Sequence, residues 1–196
     1  MSGGSFCKVS CSRVPGGTGA NARYILRERA CDRWETRHLP DEARLGWTGR
    51  EQQHALADHL DRRAELGPGS RRNYRVVLSF EREVSSAKAL ELAREFLEKS
   101  EFRDNPALLA VHRNTEHVHV HILLVARKTD GYKLNLDRQD YESFDKLWTR
   151  IYQRELGREQ THDQAAGRHR EAVGDREISL AEWRRRYGQL RRECLS

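Results

Sequence analysis

The sequence is poor in the features that anchor a chain in a bilayer or staple it outside the cell. Only 37% of its 196 residues are hydrophobic, and no apolar run approaches the roughly 20 residues that span a membrane. No membrane insertion is expected. Met1-Ser2-Gly3-Gly4-Ser5 lacks the charged-then-apolar pattern of a leader, so the expected compartment is the cytoplasm. The four cysteines, Cys7, Cys11, Cys31 and Cys194, form no CxxC pair. That argues against a disulfide framework and against structural zinc of the usual kind, and leaves free thiols. HExxH and GxxxxGK[ST] are both missing, so neither a zinc-hydrolase helix nor a nucleotide-driven motor is encoded here.

Charge is what the chain has in quantity. Lys and Arg number 36 against 30 Asp and Glu, a formal net charge of +6, with a pI near 9.3. The signs are interspersed, which speaks against wholesale disorder. The excess suits a polyanion, because guanidinium groups bind phosphate bidentately.

Periodicity lays out the elements. Residues 5–14 alternate as a strand, Pro15-Gly16-Gly17-Thr18-Gly19 breaks it, and Asn21 to Ala30 reads as a short helix. Residues 31–47 have no clear period and read as a long loop holding Trp34 and Trp47. Thr48 to Glu51 has capping-box spacing and opens a helix that runs to Gly67. Gly67 to Ser70 is a linker, Tyr74 to Phe80 a buried strand, and Ser85 or Ser86 caps the next helix. Ala107–His112 and His117–Ala126 read as strands joined by a tight loop, followed by a third strand over Tyr132–Leu136 and a strong helix ending at Gly157. The order β-α-α-β-α-β-β-β-α predicts an α+β domain over 1–157, a central antiparallel sheet flanked by helices. Residues 158–177 are polar. A C-terminal amphipathic helix over 179–192 carries Trp183, Tyr187 and Leu190 on one face and Arg184, Arg185, Arg191 and Arg192 on the other.

The chemistry concentrates in His112-Arg113-Asn114-Thr115-Glu116-His117-Val118-His119-Val120-His121. Side chains alternate across a strand, so His117, His119 and His121 share one face. A four-residue loop would put His112 opposite His117 on that face. One or two histidines there are ordinary polar surface. Four, followed by the apolar Ile122-Leu123-Leu124-Val125, are expensive unless they hold a metal, since buried imidazoles need partners and charged ones repel. An all-imidazole site with open positions suits a catalytic divalent ion acting on phosphate. Glu116 is placed to accept from an imidazole N–H.

The attacking group is less legible. Val14 to Gly19 leads into a helix bearing Tyr24, and glycines with a helix N-terminus favour a phosphate. Taken alone, Tyr24 reads more readily as an amphipathic packing residue, and composition does not choose among six tyrosines.

Val111-His112 through His121 resembles the third motif of HUH-type DNA relaxases, most nearly the MOB-P class that includes the nuclease cutting T-DNA borders. Arg13 to Thr18, followed by Tyr24-Ile25-Leu26-Arg27, is similar to the first motif of that class, and Leu78-Ser79-Phe80 to its intervening strand. The resemblance covers residues 5 to about 156. It implies His112, His119 and His121 as ligands of Mg²⁺ or Mn²⁺, His117 as an accessory histidine, and Glu116 as a functional acid. It further implies Tyr24 as nucleophile, and Arg13, Thr18, Arg23 and Arg27, with Arg184 and Arg185 of the tail, as DNA contacts. Asn114 and Val125 depart from the Asp and Asn of many relatives, which puts the support of the ligands in doubt.

The resulting expectation is a metal-dependent relaxase that nicks a transfer origin for plasmid mobilisation, leaving a 5′-phosphotyrosyl link. Its partners would be single-stranded origin DNA, accessory relaxosome proteins and a coupling protein. A rolling-circle replication initiator and a non-enzymatic, metal-stabilised DNA-binding module are the alternatives. Tyrosine ahead of the histidines favours the relaxase over the initiator.

Overall fold

The computed structural model describes residues 5–27, 30–39, 49–65, 67, 69–115 and 117–156. Glu116, Trp47 and the segment 157–196, with its expected basic helix, Arg184 and Arg185, lie outside the described residues.

The elements run β1 (Phe6–Ser12), α1 (Gly17–Ile25), β2 (Cys31–Arg37), α2 (Gly49–Arg63), β3 (Asn73–Ser79), α3 (Ser86–Glu98), β4 (Ala107–His112), β5 (His119–Val125) and α4 (Arg138–Leu156). The five strands form one sheet in the order β1-β3-β5-β4-β2, and every pairing is antiparallel. The expected α+β architecture is the one observed.

Alternation along the strands divides the core into two layers. Val76 and Leu78 of β3, Leu109 and Val111 of β4, and Val120, Ile122 and Leu124 of β5 face Phe96 of α3 and Phe144 and Trp148 of α4. Each fully buried side chain of this size contributes about 1.5–3 kcal/mol, so this layer is the main cement of the fold. On the opposite face Leu108, Leu123 and Val125 meet Ile25 and Leu26 at the end of α1 and Leu56 and Leu60 of α2. Because β1 and β2 are the two edges of the sheet, α1 carries the chain across this second face. Ser85 caps α3 as expected, its hydroxyl accepting from the Lys88 N–H at 3.2 Å.

Three expectations are corrected. Residues 31–37, expected as loop, are the edge strand β2. One edge is unpaired and a bulge lies between Cys31 and Arg33, so Asp32, Arg33 and Glu35 remain solvated or half-solvated and hide the period. Tyr132–Leu136, expected as a third strand, makes only the isolated bridge Arg127–Lys133. Leu134 and Leu136 are buried, but their N–H groups go to the Ala126 carbonyl and the Tyr74 hydroxyl, anchoring a connection rather than a ladder. The helix expected from Asn21 starts at Gly17 instead, with Gly16 as N-cap at φ 73°.

Candidate active site

β4 and β5 bring the histidines together, in a register two residues different from that expected. His112 pairs with His119, not His117, and Ala110 with His121. The connection is longer than a tight four-residue turn: β5 starts at His119, and His117 stays in the loop. His112, His119 and His121 therefore share one sheet face. A ring nitrogen from each lies within 4.8 Å of the others, and the ring centroids are 4.4 to 5.4 Å apart.

Hydrogen bonds fix which nitrogens are free. His112 Nε2–H donates to the Ile25 carbonyl at 2.6 Å, leaving the Nδ1 lone pair available. His119 Nδ1–H donates to the His117 carbonyl at 3.1 Å, leaving Nε2. Thr115 supports that carbonyl through its own hydroxyl at 2.9 Å. A partner on one nitrogen sets the tautomer that presents the other as a ligand.

Electrostatics acts in the same sense. Burial, then neighbouring His119 and Arg27, lowers His112 to about 4 despite the opposing Ile25 bond. Burial also lowers His119, and it drives His121 well below the ordinary imidazole value, helped by His112, His119, Arg27 and Arg75. All three rings are neutral near pH 7, the form that binds a metal. This donor set fits one divalent ion with open positions.

α1 ends at this site. Tyr24 directly precedes Ile25, and its ring is 41% exposed. The Arg27 guanidinium lies 4.3 Å from the ring centroid and is close enough to act on all three histidines. Arg27 thus stands against the Tyr24 ring and within electrostatic reach of the triad.

The other expected contacts scatter. Arg13 is exposed. Arg23 pairs with Asp58 of α2 at 3.4 Å. Thr18 is corrected: it is buried, and its hydroxyl accepts from Asn73 Nδ2 at 2.9 Å, so it fastens α1 to the sheet instead of facing DNA. The expected phosphate cradle is corrected as well. The Gly19 N–H donates to Asp61 Oδ1 at 3.3 Å, so the anion at the start of α1 is a side chain of the protein itself. Gly19 is there for close packing, because a Cβ would stand 3.0 Å from the Ala57 carbonyl of α2. Val125 is buried among apolar residues, and Asn114 is exposed.

Arg75 was missed by the sequence reading. It opposes Leu123 of β5 and so lies on the histidine face. A lone cation inside the otherwise apolar Tyr74–Phe80 run was its only signal.

The family model for relaxases, MobA/VirD2-like, nuclease domain, matches residues 24–155. The chain belongs to this family. It is a DNA relaxase, an endonuclease of the HUH type. The fold is shared with the structure described as "Molecular Basis of Vancomycin Resistance Transfer in Staphylococcus aureus", at TM-score 0.56 and 13% identity over 88% of this chain and 99% of that one. Weaker likenesses are to conjugative relaxase TrwC in complex with oriT DNA, TM-score 0.46 and 13% identity over 93% and 84%. The MobM relaxase domain bound to plasmid pMV158 oriT DNA gives 0.42 and 14% over 94% and 98%. No curated protein matches the sequence. Among the described residues, no helix is long and apolar enough to cross a membrane.

Proposed function

We propose that this relaxase nicks one strand of a transfer origin by attack of the Tyr24 hydroxyl on a backbone phosphate, for plasmid mobilisation. The observation that carries the reading is the His112–Ile25 hydrogen bond of 2.6 Å, which ties a triad imidazole to the residue following Tyr24. His112 Nδ1, His119 Nε2 and a ring nitrogen of His121 would hold Mg²⁺ or Mn²⁺. When bound there, such an ion supplies Lewis-acid polarisation of a phosphate oxygen.

The residues of the chain do the rest. The Arg27 guanidinium, against the Tyr24 ring, meets the phosphate charge and holds the ring toward it. The Tyr24 oxygen forms a bond to phosphorus as the bond from phosphorus to the 3′ oxygen breaks. His117 or Glu116 takes the phenolic proton, which ends on the departing 3′-OH. The product is a 5′-phosphotyrosyl link, and because one phosphoester replaces another, the same site reseals the strand without ATP. Arg13 and Arg23 contact the flanking backbone, as do Arg184 and Arg185 of a C-terminal segment, 158–196, separate from the nuclease domain. The accessory relaxosome proteins and coupling protein of a mobilisation system are its partners, in the cytoplasm.

Incubation with origin-containing single strands and Mn²⁺ tests this. An adduct that survives SDS and maps to the Tyr24 peptide is expected. DNA binding with no adduct would leave the non-enzymatic reading.

A further inference from the structure

His112 ends β4 and His119 starts β5, so the loop between them governs how the two rings meet. Within it, the His117 carbonyl accepts from His119 Nδ1–H at 3.1 Å and from the Thr115 hydroxyl at 2.9 Å. That carbonyl orients a triad ring. A carbonyl in an irregular loop can do so only if the loop is itself held.

Both ends of the loop are tied to one segment, residues 80–86, which leads from β3 into α3. At the far end the Phe80 N–H donates to the Val118 carbonyl at 2.9 Å. At the near end Arg113, directly after His112, uses all three guanidinium nitrogens. Nε donates to the Ser86 hydroxyl at 3.0 Å, Nη1 pairs with the Glu83 carboxylate, and Nη2 donates to the Val84 carbonyl. The Ser86 hydroxyl donates in turn to the Asp32 carboxylate, which lies 3.7 Å from Arg113 Nε. Asp32 is the extra residue of the β2 bulge: Cys31 pairs with His112 and Arg33 with Val111. Bulges re-aim side chains in this way.

As a stabiliser alone this arrangement would matter little, because Glu83 is largely exposed and exposed ion pairs contribute little to stability. Its geometry is what sets it apart. A planar fork engaged at three donors by three different acceptors has one position, and the residue that carries it adjoins His112. The Arg94–Glu35 pair, at 2.9 Å, also joins α3 to β2. Glu35, however, stands opposite Leu109, three residues short of His112.

We propose that Arg113 is a positioning residue of the histidine site. By pinning the start of the loop to residues 83–86 it sets the His117 carbonyl, and through it the tautomer and angle at which His119 faces a divalent ion. The inference rests on the triad as a metal site and is independent of which tyrosine attacks the phosphate.

Two measurements on the whole protein test this. Without metal, long-range proton–nitrogen spectra read which nitrogen of His119 carries the proton. The wild type should show the Nδ1–H form, and Arg113→Ala a mixture of both tautomers. Calorimetry with Mn²⁺ should give an affinity about 10-fold lower in Arg113→Ala, the scale of losing a group that orients a ligand. Arg113→Lys should recover only part of either, since a point charge does not replace a planar fork. Arg94→Ala loses an ion pair between the same two elements and should change neither readout, which separates positioning from a general loss of stability. Where circular dichroism shows Arg113→Ala unfolded, Arg113→Gln takes its place. A wild type that fails to bind Mn²⁺ would sink the metal reading, and the His119 tautomer then decides the role of Arg113 by itself. An unchanged His119 tautomer in a folded Arg113 variant overturns the proposal. So does an undiminished Mn²⁺ affinity where the wild type binds, or an equal loss in Arg94→Ala.

Discussion

The guanidinium of Arg27 lies 4.3 Å from the centroid of the Tyr24 ring. The contact spans three residues at the end of α1, whose last carbonyls turn toward the histidine face: the Ile25 oxygen receives His112 Nε2–H. One short segment therefore carries the ring of the proposed nucleophile, a cation beside it and an acceptor for a triad imidazole. Arg27→Ala should slow adduct formation by about 100-fold, the scale of losing one charge aimed at the transition state. Arg27→Lys should recover only part, since a point charge replaces a planar fork. Rates within a few-fold of wild type in Arg27→Ala would remove Arg27 from the site.

Tyr24→Phe should reduce adduct formation to background while leaving DNA affinity nearly intact. The ring and its contact with Arg27 are kept, and only the hydroxyl is lost. Undiminished adduct in this variant would redirect the search to Tyr132 or Tyr141.

His119→Ala should lose Mn²⁺ binding and cleavage together, whereas Cys11→Ala should lose neither. Calorimetry reads the first directly. Unchanged Mn²⁺ affinity in folded His119→Ala would refute a triad-bound ion.

The lowered imidazoles give a pH dependence with a definite sign. A depressed value in the folded state contributes stability above the ordinary imidazole range near 6.5, and that stability is lost as pH falls through the folded value. For His112 the window runs from about 6.5 down to about 4. The metal-free protein should lose melting temperature across it, and His112→Gln should flatten the loss. Mn²⁺ affinity should hold below the pH at which an exposed imidazole site fails, because proton competition starts only under the lowered values. A steep fall in affinity already between about pH 7 and 6 would show ordinary imidazoles.

Gly19→Ala should destabilise the domain by about 1 kcal/mol. The helix interior gains up to about 1 kcal/mol from Ala, but a Cβ 3.0 Å from the Ala57 carbonyl meets backbone that yields only by shifting α2, at about 1–3 kcal/mol. Urea unfolding checks the sign, and a stabilised variant would show that α1 and α2 separate freely.

Several features of this relaxase are determined by the sequence alone because their causes are local. Short, largely apolar runs over Tyr74–Phe80 and Ala107–His112 suffice for β3 and β4, and three-four spacing from Tyr141 to Leu156 for α4. Parity places His117, His119 and His121 on one face, and it is the resemblance to the relaxase motif that singles out His112, His119 and His121 as ligands. Tertiary structure decided the rest. The pairing of His112 with His119 depends on how much of the connection is left unpaired, which parity does not contain. β2 is a strand because β4 offers it an edge, and its charges survive because its other edge is open. Thr18 and Gly19 look like a phosphate loop until Asn73 and Asp61, 55 and 42 residues away, claim their polar groups. Arg62, Arg63 and Arg127 meet in one cleft only where α2 ends near the stretch that follows β5. Contacts of that range are set by packing, and no local spacing encodes them.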